Sequence, residues 1–353
     1  MWLENRIFRE DLEQIANSAF IPWDQLRRKT VLVTGATGLI GSTLVSALLY
    51  AGKTRQLDLK VCALVRSEEK ARAKFAGALA ESCPLTFAVG SVDALPEIDG
   101  KVDYIVHAAS PTASAFFVQH PVDTVRTAVL GTENMLRLAQ EKGASGFVYL
   151  SSMEVYGAPA KAEPIREDYP TTVNTMAVRS CYPTAKLMCE NLCVCYGAQY
   201  GVPAKVVRLA QTFGAGVLLN DNRVFAQFAR AAMEREPIVL QTTGESSRAY
   251  LYTADAAAAI LTVLLKGVSG EAYNAANAET YCSIVEMAHM VADAFADGDV
   301  RMELHDDPAQ LAKYSPVHHL MLNADKLCAL GWRPTHDLKE MYTRMIDCGM
   351  GQQ

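Results

Sequence analysis

The sequence predicts an α/β protein: a Rossmann-like doubly wound parallel sheet with a smaller mixed C-terminal lobe. Three observations predict it. From Thr30 onward, short apolar runs alternate with longer helical patterns, as in a parallel sheet covered on both faces. A glycine-rich turn, TGATGLIG, joins the first run to the first of these helices. After Gln211 the alternation loosens into shorter pieces. A chain of 353 residues can bury a large core in one body or two closely joined ones.

Taken in order, Leu3, Ile7, Phe8, Leu12 and Ile15 recur at helical spacing. They predict an amphipathic N-terminal helix, packed on the body or on a partner subunit. TVLVTG reads as a buried strand, and TGLIGSTLVSALLYAG as the helix after it, stopped by Gly52. KVCALV is a second strand, SEEKARAKFAGALA a helix and LTFAVG a third strand. DYIVHAAS is a fourth, the run Val122 to Gln140 a long helix, and GFVYLSS a fifth strand. The polar stretch from Gly157 to about Arg179 is too long for a simple connector. A helix from Tyr182 to Tyr200 and a sixth strand, AKVVRLA, come next.

Composition narrows the partners. Half of the residues are hydrophobic, a fifth are charged, and the formal net charge is −6. No basic surplus points to nucleic acid or to an anionic membrane surface. No apolar run reaches the ~18 residues of a membrane span, and the acidic N-terminal stretch does not read as a signal peptide. Nine cysteines include Cys189, Cys193 and Cys195 in C-x3-C-x-C spacing. They interleave with Leu187, Leu192 and Val194, so they read as small buried hydrophobes rather than metal ligands. Nothing resembles a disulfide framework, and a reducing, cytoplasmic location is expected.

The glycine turn carries the first functional signal. Gly35 would permit the tight turn, Gly38 the approach of a pyrophosphate, and Gly41 close helix–sheet packing. The turn and helix start, Thr37, Leu39 and Ile40, would offer free N–H groups and a partial positive charge to phosphates. The expected organisation is a helical extension over 1–28, a dinucleotide-binding domain over 29–212 and a substrate lobe over 213–353, with the chain crossing between lobes. An NAD site normally has an acid at the end of the second strand. Here Arg66 stands there and Asp58 precedes the strand. The cofactor is NAD or NADP, with Arg66 tilting the reading to NADP.

SCYPTAK places Tyr182 and Lys186 four apart at a helix start, on one face. Pro183 fits a first turn, where no intrahelical N–H bond is lost. A phenol titrates near ~10, so a tyrosine base working near pH ~7 needs ~4 kcal/mol of help. An adjacent ammonium and a nicotinamide cation could supply it by favouring phenolate. Ser152, at the end of the fifth strand, would hydrogen-bond the substrate oxygen that gives its proton to Tyr182.

On these residues the chain resembles the extended short-chain dehydrogenase/reductases of the sugar-nucleotide epimerase and dehydratase group. The likeness runs from about Thr30 to the C-terminal region. It includes TGATGLIG, HAAS at 107–110, GTENML at 131–136, SSMEVYG, YPTAK and LGWRP at 330–334. HAASPTAS, RSCYPTAK, NDNRVFAQF and EPIVLQTTGESSRAY look most like the UDP-glucuronate decarboxylases within it. The resemblance implies that Ser152, Tyr182 and Lys186 are a catalytic set and that Ala108, Ala109 and Ser110 line the cofactor. It implies that Arg179, Gln211, Arg223 and Arg248 meet a nucleotide-sugar substrate, guanidinium forks suiting phosphate or carboxylate. It also implies a homodimer through the Tyr182–Tyr200 helix and its neighbour Val122 to Gln140. The chain departs from the family pattern at Ser91, Ala128, Ala210, Gln211 and Ala215, which bears on the sugar and nucleotide more than on hydride chemistry.

In such a family, oxidation at sugar C4 makes a ketone that acidifies C5. The second step is then set by the residues after Ser152. A 4,6-dehydratase-like site needs an acid where Met153 stands, so that route is disfavoured. Glu154, expected within the cleft, keeps proton chemistry near C5 open. Decarboxylation or epimerisation at a nucleotide sugar is the leading reading. A simple reductase of a smaller carbonyl compound is the alternative, and a non-catalytic cofactor sensor is the reading the intact Ser152, Tyr182 and Lys186 set argues against.

Overall fold

The computed structural model describes residues 2–112, 114–295, 299–303 and 317–349. Its centre is a parallel sheet of seven strands: β1 (Thr30–Thr34), β2 (Lys60–Val65), β3 (Leu85–Val89), β4 (Tyr104–His107), β5 (Gly146–Ser152), β7 (Ala204–Leu209) and β11 (Ala272–Ala275). Their spatial order is β11-β7-β5-β4-β1-β2-β3. Strand β1 lies between β2 and β4, so the winding reverses there and leaves a crevice beyond the strand ends.

Successive side chains of each strand face opposite sides, and helices cover both. Val31 and Val33 point into the larger core, with α2 (Leu39–Thr54) and α9 (Thr253–Lys266). Leu32, Ile105 and Phe147 point into the other, with α6 (Pro121–Lys142) and α7 (Cys181–Tyr200). Every one of these strand residues is fully buried, which is why the strands read as continuous apolar runs. Pro121 opens α6, and Gly143, in the left-handed conformation at φ 60°, ends it.

The N-terminal helix α1 (Arg6–Asn17) packs on α2 and α9 of its own chain. Its apolar stripe, Ile7, Phe8, Leu12 and Ile15, is buried as the spacing predicts. Asp11 is buried with it, paired with Arg344 at 2.7 Å and accepting from the Tyr252 hydroxyl at 2.8 Å.

Two sequence expectations are corrected. Helix α2 continues through Gly52 to Thr54, because Gly52 sits against Leu59 and its carbonyl accepts from the Leu57 N–H. The helix expected after β2 is two pieces, α3 (Glu68–Lys74) and α4 (Ala76–Ala80). Phe75 breaks it by turning inward, where it is buried and stacks on Phe87.

The smaller lobe is mixed. A second sheet contains β6 (Pro164–Ile165), β8 (Gln211–Phe213), β10 (Ser247–Tyr252), β12 (Asn277–Ser283) and β14 (His319–Leu322). Strands β9 (Ile238–Leu240) and β13 (Val300–Met302) form a separate pair, with α8 (Val224–Glu234) and α10 (Ile284–Phe295) nearby. Through β6 the polar stretch after Gly157 enters this sheet, while α9 and β11 carry the chain back to the main one.

Because Leu12 has no exposure, Leu12→Ala should destabilise the whole protein by about 2–5 kcal/mol. Urea unfolding checks this; a change within error would mean that α1 is not part of the cooperative core.

Candidate active site

The glycine turn and the end of β4 make one cradle. Gly35 has φ 62°, and a Cβ there would lie 2.9 Å from the Ala108 carbonyl. A Cβ on Gly41 would lie 2.1 Å from the Gly35 carbonyl oxygen; only hydrogen fits. Gly38 caps α2 without a side-chain bond, so the first-turn N–H groups of Leu39, Ile40 and Gly41 stay free of intrahelical partners. Thr37 is exposed at the same mouth. Ala108, Ala109 and Ser110 come directly after β4, and the Ser110 hydroxyl oxygen is buried with no hydrogen bond among the described residues. A dinucleotide fits this donor set: the N–H groups suit its pyrophosphate, and Ser110 offers a further unused hydroxyl.

A short hydrogen-bond chain sets the Ala108–Ala109 backbone. Thr34 Oγ1 accepts from the N–H of Ala108 at 3.1 Å and of Ala109 at 3.0 Å. With its lone pairs so used, its proton goes to His107 Nδ1, 2.8 Å away. His107 is therefore the Nε2–H tautomer, donating to Thr132 Oγ1 at 3.2 Å. Burial, helped by the Lys186 charge, pushes the imidazole down to about 3, so it stays neutral.

Across the crevice, Ser152 ends β5 and Tyr182 lies in the first turn of α7. The Ser152 hydroxyl stands near the Tyr182 phenol, where it favours phenolate, and accepts from the Glu154 N–H at 3.2 Å. Even so, the phenol is held above its ordinary value. Burial dominates and the Glu154 charge adds to it, against the opposing pull of Ser152, Arg179 and Arg223. Lys186 Nζ lies 5.6 Å from the centre of the Tyr182 ring. Lys186 Nζ is turned to the Leu150 carbonyl at 2.7 Å and lies over the Tyr149 ring. Its own burial pushes it down to about 8.

The residues expected to meet substrate divide. Arg179 bonds Glu154 at 3.1 Å, and both are about one-third exposed; Glu154 is thus at the rim rather than sunk in the cleft. Arg223 lies close enough to act on Tyr182, but its guanidinium is paired with Asp221 at 2.5 Å, a partner that the sequence pattern does not mark. Gln211 begins β8, half-buried beside β10. Arg248 donates to His318 Nε2 at 3.1 Å and has a buried Nε without a partner among the described residues. Arg66 is exposed just past β2, and Asp58 is exposed before it. Met153 is buried in the core. Of the cysteine cluster, Cys189 and Cys193 are buried and Cys195 is exposed.

Two features were missed. Phe117, from α5 (Ser114–Gln119), stacks on Tyr182 with centroids 4.4 Å apart and planes 11° from parallel. Nothing in the local sequence pattern marks it, since the contact joins distant segments. The second is a buried ion pair. Glu190 and Arg208 meet at 2.7 Å; Ser151 donates to Glu190 at 2.5 Å, and Arg208 donates to the Tyr156 hydroxyl oxygen at 2.9 Å. Glu190 is four residues past Lys186, the same face of α7, which is the signal that could have found it.

Comparison with known proteins identifies the family. Residues 31–276 match the profile of the NAD dependent epimerase/dehydratase family. The chain belongs to this family. It is 30% identical over 323 residues to UDP-glucuronic acid decarboxylase 1 of Xenopus tropicalis, covering 90% of this chain and 72% of that one. It is 30% identical over 317 residues to UDP-glucuronic acid decarboxylase 6 of Arabidopsis thaliana, covering 88% and 85%. Among solved structures, the UDP-N-acetylglucosamine 4-epimerase of Methanobrevibacter ruminantium superposes with a TM-score of 0.76 at 20% identity, covering 91% of this chain and 98% of that one. A dTDP-glucose 4,6-dehydratase of Streptomyces venezuelae gives 0.75 at 23%, covering 90% and 96%. These structural likenesses establish the extended Rossmann-like fold.

Burial of the phenol makes a spectroscopic prediction. In the protein without ligands, Tyr182 should contribute no phenolate below about pH 10. The difference between wild-type and Tyr182→Phe absorbance titrations isolates it. A phenolate forming at or below the ordinary value would contradict the dominance of burial.

Proposed function

We propose that this family member is an NAD(P)-dependent enzyme that oxidises a nucleotide-activated sugar at C4 and then completes a decarboxylation or epimerisation. One observation carries this reading: Tyr182, in the first turn of α7, stands beside Ser152 at the end of β5 and within the electrostatic reach of Glu154, Arg179 and Arg223. On this reading Tyr182 is the proton acceptor for C4 and Glu154 the nearby carboxylate that acts at C5. Bound nicotinamide supplies a hydride acceptor and a positive charge that favours phenolate.

The residues then take these roles. Tyr182 removes the C4 hydroxyl proton, and Ser152 hydrogen-bonds that oxygen. Lys186, buried beneath, lends positive charge and holds the end of β5 through Leu150. Glu154 exchanges a proton at C5, and Arg179, already holding one carboxylate, binds a second on the substrate. Arg223 and the unused Nε of Arg248 meet the diphosphate, with Gln211 alongside. Met153 cannot donate a proton to a departing hydroxyl, so 4,6-dehydration is disfavoured. The decarboxylase names of the similar curated proteins support a uronic acid substrate.

The cofactor reading is NAD, supported by the dehydratase structure with NAD bound. A second reading, NADP, rests on Arg66, whose exposed guanidinium stands past β2 where a 2′-phosphate would lie. The exposed Val122, Val125 and Met188 on α6 and α7 support a homodimer through these helices. No helix among the described residues is long and apolar enough to cross a membrane. All nine cysteines are free thiols, which supports a cytoplasmic location.

The test is a panel of UDP-, dTDP-, GDP- and CDP-sugars with NAD or NADP, products read by mass spectrometry. UDP-glucuronate losing carbon dioxide is the expected outcome. Turnover of a small ketone, with every nucleotide sugar inert, would replace this reading by that of a simple reductase. Tyr182→Phe should cut turnover at least about a hundredfold, the lower end for removing a general base, with the dinucleotide still bound by calorimetry. Met153→Asp should add a dehydrated product if the pocket holds a sugar with a C6 hydroxyl; its absence with such a sugar would show that an acid alone does not redirect the chemistry.

A further inference from the structure

The least expected contact in the site is aromatic. Phe117 has 1% exposure, and its ring lies nearly parallel to that of Tyr182 at 4.4 Å. The Arg179 guanidinium lies 5.0 Å from the centre of the same ring. Arg179 in turn bonds Glu154. The side chains therefore form a continuous series: phenol, phenyl, guanidinium, carboxylate. At one end is the group that acts on C4, and at the other the group that acts on C5. Phe117 comes from α5, a separate segment that packs on α6 and on the turn Val178–Ser180 just before Tyr182. Cys181, the residue between, donates its thiol to the Phe117 carbonyl at 3.4 Å. Backbone and ring of Phe117 thus grip the start of α7 at two points.

We propose that Phe117 is a positioning residue of the proton-transfer site, whose ring holds the Tyr182 phenol out of water and spaces it from the Arg179–Glu154 pair. The proposal rests on the functional reading above for what the phenol does, but its geometry does not. Face contact with a phenyl ring removes water from one side of the phenol without offering it a hydrogen bond. The Ser152 hydroxyl remains the nearby polar group that favours the phenolate. Parallel stacking also resists rotation of the Tyr182 ring, because offset-stacked aromatic pairs gain from their mutual orientation. The guanidinium contact gives Arg179 a second support, so that engaging a substrate anion need not release it from its place.

The charged and titratable groups around the phenol come from every element packed on it. They are Glu154 after β5, Arg179 and Lys186 before and within α7, Arg223 before α8, and Tyr149 on β5. None is on α5. Replacing Phe117 therefore changes the phenol's access to water without removing any of these charges.

Two variants test this on the full chain. Phe117→Leu keeps apolar bulk and loses the flat face, whereas Phe117→Tyr keeps the face. The first readout is the Tyr182 phenolate titration, isolated by difference against the same variants carrying Tyr182→Phe. It needs neither substrate nor cofactor. In Phe117→Leu the phenolate midpoint should fall, because water regains the phenol, and the ring-retaining variant should keep the wild-type midpoint. The second readout is turnover against pH with the substrate found by the panel. Phe117→Leu should lower kcat about tenfold, the scale of losing one aromatic pair, and move the profile; Phe117→Tyr should recover most of both. A purely structural residue would lower the unfolding midpoint and leave the phenolate midpoint in place, which would overturn the proposal. If Phe117→Leu does not fold, a wild-type phenolate midpoint in Phe117→Met, an unbranched apolar replacement, would overturn it equally. Failure of every substrate with a shifted phenolate midpoint would instead count against the functional reading alone.

Discussion

Helix α7, which carries Tyr182 and Lys186, is anchored by a buried charge pair. Glu190 on α7 takes the guanidinium of Arg208 on β7 and the hydroxyl of Ser151 on β5. Arg208 continues to the Tyr156 hydroxyl oxygen and the Glu167 carbonyl oxygen, and Tyr156 donates to Asn274 on β11. The pair therefore ties α7 to three neighbouring strands and to the stretch that leads into the smaller sheet. Removing one partner of such a pair strands the other charge in the interior, a cost of about 3–5 kcal/mol. Rotation of α7 would break it, and Tyr182 and Lys186 are carried on that helix. Ser152, next after Ser151, inherits its position from the same anchor.

Within this frame, burial sets the starting protonation states. It raises the Tyr182 phenol, lowers the Lys186 ammonium and keeps His107 neutral. All three are groups whose charged forms lose hydration when the sheet and helices close around them. Positive groups do stand near the phenol, but they are divided among other partners. Arg179 faces Glu154, Arg223 faces Asp221 and Lys186 faces a carbonyl. The site is thus organised so that a ligand bringing negative charge competes for guanidinium groups already engaged, and a ligand bringing positive charge near Tyr182 offsets its desolvation.

Much of this fold is legible in the sequence. The alternation of apolar runs predicts the seven-stranded sheet's first six members, and the glycine spacing predicts a cradle whose geometry excludes a Cβ at Gly35 and Gly41. The i,i+4 spacing of Tyr182 and Lys186 puts both on the buried face of one helix. Other features are not legible. Gly52 looks like a stop because glycine is a poor helix former, yet packing against Leu59 lets α2 run on. Phe75 looks like one more apolar residue of a helix, and its contact with Phe87 breaks that helix. The seventh strand, AYNA, is too short to be recognised by periodicity and is a strand because it pairs with β7.

By itself the sequence determined the sheet, its glycine turn and the four-residue spacing that puts Tyr182 and Lys186 on one helix face. These depend on periodicity and local spacing, which a chain carries before it folds. Only the tertiary structure decided how the charges pair and what covers the phenol. Phe117 and Tyr182, or Arg208 and Glu190, are brought together by the packing of separate elements. Their energies depend on burial and distance, and neither quantity exists until the sheet and its helices have closed.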